Sequence, residues 1–135
     1  MPDNDGASTK EAWVDSVMNS LTLDEKIAQL MMVRAYSNKD EIHYGTIEKL
    51  VSDYNIGGLC FFQGGPARQA SLTNRYQGKA KTPMLIALDA EWGLGMRLDS
   101  TLSYPRQMML GAMDEPHMIY RMGADIAQQL RRIGV

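Results

Sequence analysis

Positions 89 to 97 read Asp-Ala-Glu-Trp-Gly-Leu-Gly-Met-Arg. Two carboxylates, an indole and a guanidinium so close together suit a polyhydroxylated ligand: carboxylates accept from hydroxyls, Arg donates, and an aromatic face packs on a sugar ring's C–H surface. Asp89, Glu91, Trp92 and Arg97 are therefore the candidate ligand-binding residues. Asp89 directly follows the apolar run Met84-Leu85-Ile86-Ala87-Leu88, where a carboxylate needs a partner or water. A second reading stands at equal weight: Asp89 and Arg97 form a structural ion pair that fixes the loop, and Trp92 fills the rim of the core. Glycoside cleavage uses two carboxyls about 5–9.5 Å apart on opposite sides of the bond. Asp89 and Glu91 are neighbours on one loop, so neither is assigned as nucleophile or acid.

Other chemistry is excluded more quickly. Gly93-Leu94-Gly95 lacks the third glycine of a dinucleotide loop, since Leu98 stands there, and Gly78-Lys79 is followed by Ala80 where a phosphate loop needs Ser or Thr. His43 and His117 have no Cys or acidic residues at metal-ligand spacing and are expected on helix surfaces. Cys60 lies inside an apolar run and is expected in the core. No metal and no cofactor is expected.

The elements that position the loop follow from periodicity. Residues 1–8 are polar and read as a flexible leader; Ser8 or Thr9 caps a short helix carrying Trp13 and Val17. Thr22-Leu23-Asp24-Glu25 is a capping box, followed by an apolar stripe of Leu23, Ile27, Leu30 and Met31 and a short strand near Met32 to Ala35. Asp40 caps a helix with Ile42, Ile47, Leu50, Val51 and Tyr54 at helical spacing, and Gly57 is placed to end it. Gly58-Leu59-Cys60-Phe61-Phe62 and Met84 to Leu88 are apolar enough for parallel strands buried on both faces. Pro66 starts the helix between them, which runs to about Lys79. After the long loop, Pro105 opens a short helix. Asp114 caps a longer one, lined by Ile119, Met122, Ile126, Leu130 and Ile133 and stopped at Gly134. The methionines, among them Met31, Met32, Met108, Met109 and Met113, are expected to pack the core or to form an incomplete partner surface.

Helices alternating with buried strands define βα units with parallel pairing. Functional groups then gather on loops leaving the C-terminal strand ends, here Gln63-Gly64-Gly65 and Asp89 to Arg97. The 135 residues fall short of the roughly 250 of a complete β/α barrel, so a partial barrel of the first few βα units is expected. A small doubly wound α/β domain is the competing architecture.

Composition sets further bounds. With 14 basic and 16 acidic residues the net charge is −2, which excludes a broad cationic surface for nucleic acid. The longest apolar runs are much shorter than the ~18 residues of a membrane span. Met1 to Lys10 has no apolar signal segment, and the single Cys60 gives no clue to compartment.

The order Leu23-Asp24-Glu25-Lys26-Ile27-Ala28-Gln29-Leu30, Ile56-Gly57-Gly58-Leu59 and Pro83 to Gly93 resembles glycoside hydrolase family 3, in its bacterial β-N-acetylhexosaminidase and β-glucosidase branch. Tyr104 to Ala112 and Leu130 to Val135 extend the likeness. The resemblance implies that residues 9–135 are the N-terminal part of a (β/α)8 barrel that hydrolyses β-linked sugars with retention. It implies a sugar-binding role for Asp89 and matches Arg97 to the family loop's second Arg. The loop's first Arg falls on Leu94, and its first Gly on Trp92. The family's Lys-His-Phe-Pro-Gly segment has no counterpart, and its nucleophilic Asp is expected beyond Val135. No catalytic residue is therefore assigned to this chain. The expected partner is a β-linked carbohydrate, together with the rest of a barrel or another copy; a non-catalytic half-barrel for binding or assembly is the alternative function. The resemblance points to a periplasmic or secreted parent, with a cytoplasmic one left open.

Overall fold

The computed structural model describes residues 5–135. Residues 1–4, the start of the expected leader, lie outside the described residues. Helix α1 (Asp5–Ser20) begins ahead of the cap expected at Ser8 or Thr9, so positions 5–8 are helical; no proline stands in its way. Helix α2 (Leu23–Ala28) starts on the expected capping box: Thr22 accepts from the Glu25 amide while Glu25 accepts from the Thr22 amide.

Three parallel strands follow, β1 (Met32–Ala35), β2 (Gly58–Phe61) and β3 (Leu85–Leu88), in the order β1-β2-β3. Their register aligns Met32 with Gly58 and Leu85, and Ala35 with Phe61 and Leu88. Helix α3 (Glu41–Tyr54) joins the first pair and α4 (Pro66–Gln77) the second. Both pack on one face of the sheet, where Ala35, Leu59 and Phe61 meet Tyr44, Ile47, Val51, Leu72 and Tyr76 in the main core. Phe61 stacks on Tyr76 with ring centroids 6.5 Å apart. Past β3 come a 3-10 turn (Leu94–Met96), α5 (Gln107–Gly111) and α6 (Pro116–Arg132). Ile133, Leu130 and Val135 close a second cluster over Leu94, Leu98, Leu88 and Ala70. Sequential strand neighbours with the connecting helices on one face are the architecture of a partial (β/α)8-type barrel.

Several local expectations are corrected. Asn55, not Gly57, ends α3: it adopts the left-handed conformation (φ 56°), and its side chain bridges to Thr82 through Nδ2–Oγ1 and N–Oδ1 bonds of 3.2 Å each. Gly57 serves a close approach instead, because a Cβ there would run into the carbonyl oxygen of Gln29. Ile42 is exposed and Tyr44 takes the buried position, its hydroxyl donating to the Ser37 carbonyl at 3.1 Å. Tyr54 also lies outside the core. Glu115 rather than Asp114 is the cap residue of α6, with Pro116 in the first turn.

Strand β3 is not buried on both faces. Leu85 is 73% exposed, because the described helices cover only the side of the sheet that Ile86 and Leu88 face. The methionines do not pack the core as a group: Met31, Met32, Met109, Met113 and Met118 are exposed, and Met108 is 91% exposed.

Candidate functional site

A strand's side chains alternate between faces, so Arg34, Cys60 and Ala87 share the face opposite the helices. One step past the last paired row, Tyr36, Phe62 and Asp89 fall on that same face at the C-terminal ends of β1, β2 and β3. The Phe62 amide still donates to the Ala35 carbonyl at 2.9 Å, which keeps this row in register.

Asp89 and Arg97 meet. Arg97 Nη2 donates to Asp89 Oδ2 at 2.6 Å, the guanidinium side chain being 20% exposed and the carboxylate 57%. The loop that returns Arg97 is fixed by backbone bonds: Arg97 donates to the Leu94 carbonyl at 3.0 Å and Asp99 to the Gly64 carbonyl at 2.8 Å. Leu94 and Leu98 on either side are buried in the second core cluster. Gly93 holds φ 87°, with the Tyr104 ring 2.7 Å from where a Cβ would stand, so both sterics and backbone require glycine here.

Arg97 also lies over the Phe62 ring, 4.8 Å from its centroid, and Phe62 packs against Tyr36 at 5.7 Å. Lys39 lies over the other aromatic of this pair, 5.5 Å from the Tyr36 centroid. The site is thus a carboxylate–guanidinium pair beside an aromatic row. Phe62 and Tyr36 were missed in the sequence because they come from separate strands. Period-2 alternation from Cys60 to the strand end is the signal that places Phe62.

Trp92 and Glu91 are less directly engaged. The Trp92 ring is stacked under the Arg106 guanidinium at 4.9 Å, and its carbonyl accepts from the Tyr104 amide at 2.8 Å. Glu91 has an exposed side chain, and its backbone carbonyl accepts from Gln107 Nε2 at 2.8 Å. The four candidates therefore divide into Asp89–Arg97, joined directly, and Glu91–Trp92, tied to the segment that opens α5.

Cys60 is half-buried on the open face of the sheet and not in the core, since the helices cover the opposite face. Burial pushes its thiol up, and the negative charge of Asp89 adds to this against the opposing effect of Arg97. A thiol held protonated is a poor nucleophile. His43 is also not a free surface residue: its ring packs edge-on against Tyr36 at 5.7 Å and Tyr44 at 6.0 Å. His117 is exposed, as expected. Among the described residues no group of three or more His, Cys, Asp or Glu side chains is placed to hold a metal ion. No described helix is long and apolar enough to cross a membrane.

A short parallel sheet, helices on one face and polar groups gathered at the C-terminal strand ends define a β/α-barrel-type segment. The chain belongs to glycosyl hydrolase family 3: the family's N-terminal domain matches residues 22–135. A curated relative, the beta-N-acetylglucosaminidase/beta-glucosidase of Cellulomonas fimi, is 24% identical over 133 residues, covering 98% of this chain. The chain spans 22% of that relative's length. Among solved structures, the beta-glucoside phosphorylase BglX bound to 2FGlc is similar, at a TM-score of 0.54 and 27% identity. That likeness covers 61% of this chain and 14% of the solved one.

Proposed function

We propose that this chain contributes part of the sugar-binding pocket of a retaining β-glycoside hydrolase, of the β-N-acetylhexosaminidase or β-glucosidase type, and that nucleophile and general acid come from outside these residues. The observation that carries this reading is the Asp89–Arg97 pair at the C-terminal end of β3. A carboxylate more than half exposed keeps lone pairs free for two sugar hydroxyls, and its guanidinium partner offers further donors to ring or hydroxyl oxygens. Asp89 Oδ2 accepts the bond from Arg97 Nη2, and Glu91 follows it two positions later on the same loop. The parent reaction on this reading is a double displacement through a glycosyl-enzyme. The names of both relatives, one acting on β-linked N-acetylglucosamine or glucose and one a phosphorylase of β-glucosides, support a β-linked pyranoside as ligand.

Purified chain assayed on p-nitrophenyl β-D-glucopyranoside and its N-acetylglucosaminide is expected to show no turnover. Saturation-transfer NMR with the methyl β-glycosides is expected to show contact that Asp89→Ala removes. Turnover that survives rigorous purification and is abolished by Asp89→Ala would refute the division of labour.

A second role in assembly is favoured by the open sheet edges. Leu85 on β3 and Met32 on β1 are exposed at strands that each have one unpaired side among the described residues. Pairing with further barrel polypeptide or another copy would cover them. Sedimentation velocity separates the cases: a compact monomer at micromolar concentration contradicts self-assembly.

A further inference from the structure

One detail of the Asp89–Arg97 pair is not explained by the pair itself. Arg97 Nε is buried and has no hydrogen-bond partner, although the same guanidinium makes a 2.6 Å bond through Nη2. An ammonium could not be left this way, but a guanidinium is planar and weakly hydrated on its faces, and an aromatic ring compensates for lost water. Phe62 supplies that ring at 4.8 Å. Phe62 is itself backed by Tyr36, tilted 32° to it at 5.7 Å, and its amide is held in the strand ladder by the Ala35 carbonyl. The stack therefore rests on the sheet, and Asp89 stands one residue past the end of the neighbouring strand β3.

We infer that Phe62 is the positioning residue of the site: its ring, backed by Tyr36, holds the Arg97 guanidinium in one plane so that its Nη edge meets Asp89 and a bound sugar hydroxyl together. This rests on the proposed sugar-binding role of Asp89 and Arg97. A carboxylate alone does not fix a long arginine side chain, which keeps several rotamers about a single ion pair. A rigid ring on one face removes most of them before the ligand arrives, so less ordering remains to be done on binding.

The test is a spectroscopic one joined to binding. In the wild-type chain the Arg97 Nε–Hε resonance is expected upfield of the other arginines, from the ring current of Phe62, and slow to exchange. Phe62→Leu is expected to return it to the ordinary position and to weaken binding of methyl β-D-glucopyranoside roughly threefold to thirtyfold, the range of a partly desolvated cation–π contact. Phe62→Tyr is expected to restore both signals. Arg97→Lys keeps the charge but loses the planar face, so adding Phe62→Leu to it is expected to cost nothing further. An Arg97 resonance that is unshifted in wild type, or that Phe62→Leu leaves unchanged, overturns the assignment, and the wild-type spectrum decides even if the leucine variant does not fold. A Phe62-dependent resonance in a chain that binds no glycoside supports the positioning and refutes the sugar reading instead.

Discussion

The segment from β1 to α4 and the segment from α5 to α6 are built on opposite terms. In the first, Val51, Leu59, Phe61 and Tyr76 are fully buried, and one face of the sheet is closed by two helices. In the second, α6 segregates polar and apolar residues more sharply than α3 or α4, yet none of its residues is fully buried. Met118 and Tyr120 on α6, and Met108, Met109 and Met113 before it, remain exposed. The more strongly amphipathic helix is thus the less buried one: a helix buries its stripe only where the sheet supplies a complementary face. Asp89 and Arg97 stand between the two: Leu94 and Leu98 beside Arg97 pack with Ile133 and Leu130, while the Asp89 carboxylate is more than half exposed.

Core substitutions give the largest contrast. Phe61→Ala is expected to destabilise the chain by about 3–5 kcal/mol in urea unfolding, the usual cost of emptying a buried phenylalanine site, whereas Met108→Ala should stay within about 0.5 kcal/mol. Similar losses at the two positions would erase the distinction between the regions. Next is Asn55. Its replacement by Ala removes two buried hydrogen bonds and forces a left-handed alanine, for an expected loss of about 2–3 kcal/mol. Asn55→Gly should recover the backbone share only, and full recovery would show that the Thr82 bonds carry no weight. Thr22→Ala opens the capping box of α2 and is expected to cost about 1 kcal/mol by the same measurement.

The smallest effect is a dependence on acid. Glu48 is held below its ordinary value of 4.5 chiefly by the hydrogen bond from Arg75, with Lys79 adding to it. Glu25 is lowered mainly by the Thr22 amide and next by Lys81. A carboxyl depressed by folding adds stability that is present above its unfolded value and is lost as pH falls through the folded one. Melting temperature should therefore drop below about pH 4.5, and Glu48→Gln should flatten the drop. An equally steep profile in that variant would place the acid sensitivity elsewhere.

Where local rules act alone, the sequence was legible. The capping box at Thr22, the strand from Met32 to Ala35 and Pro66 at the head of α4 stand where spacing and side-chain chemistry put them. The Asp89–Arg97 contact was also readable, as the structural ion pair that stood at equal weight beside the sugar-binding reading, because a carboxylate at an apolar strand end and a guanidinium on the same short loop have few other ways to be satisfied. What failed depended on tertiary context. Gly57 looked like a helix stop, but the left-handed position fell to Asn55, whose amide has Thr82 to bind. Leu85 and the methionines looked buried because apolarity records what a side chain can pack against, not whether the packing surface is there. Phe62 carries no local mark of function; it matters only because the loop from β3 returns Arg97 across the end of β2.

On the proposed function, the Asp89–Arg97 pair is where a β-glycoside is held. Titrating the isotopically labelled chain with methyl β-D-glucopyranoside, and following backbone amides together with the arginine Nε–Hε signals, tests it directly. Saturable shifts are expected at Asp89, Arg97 and Phe62 that vanish in Asp89→Ala, with the α3–β2–α4 core unmoved. Saturable shifts confined to other residues, or shifts that persist unchanged in Asp89→Ala, would contradict it.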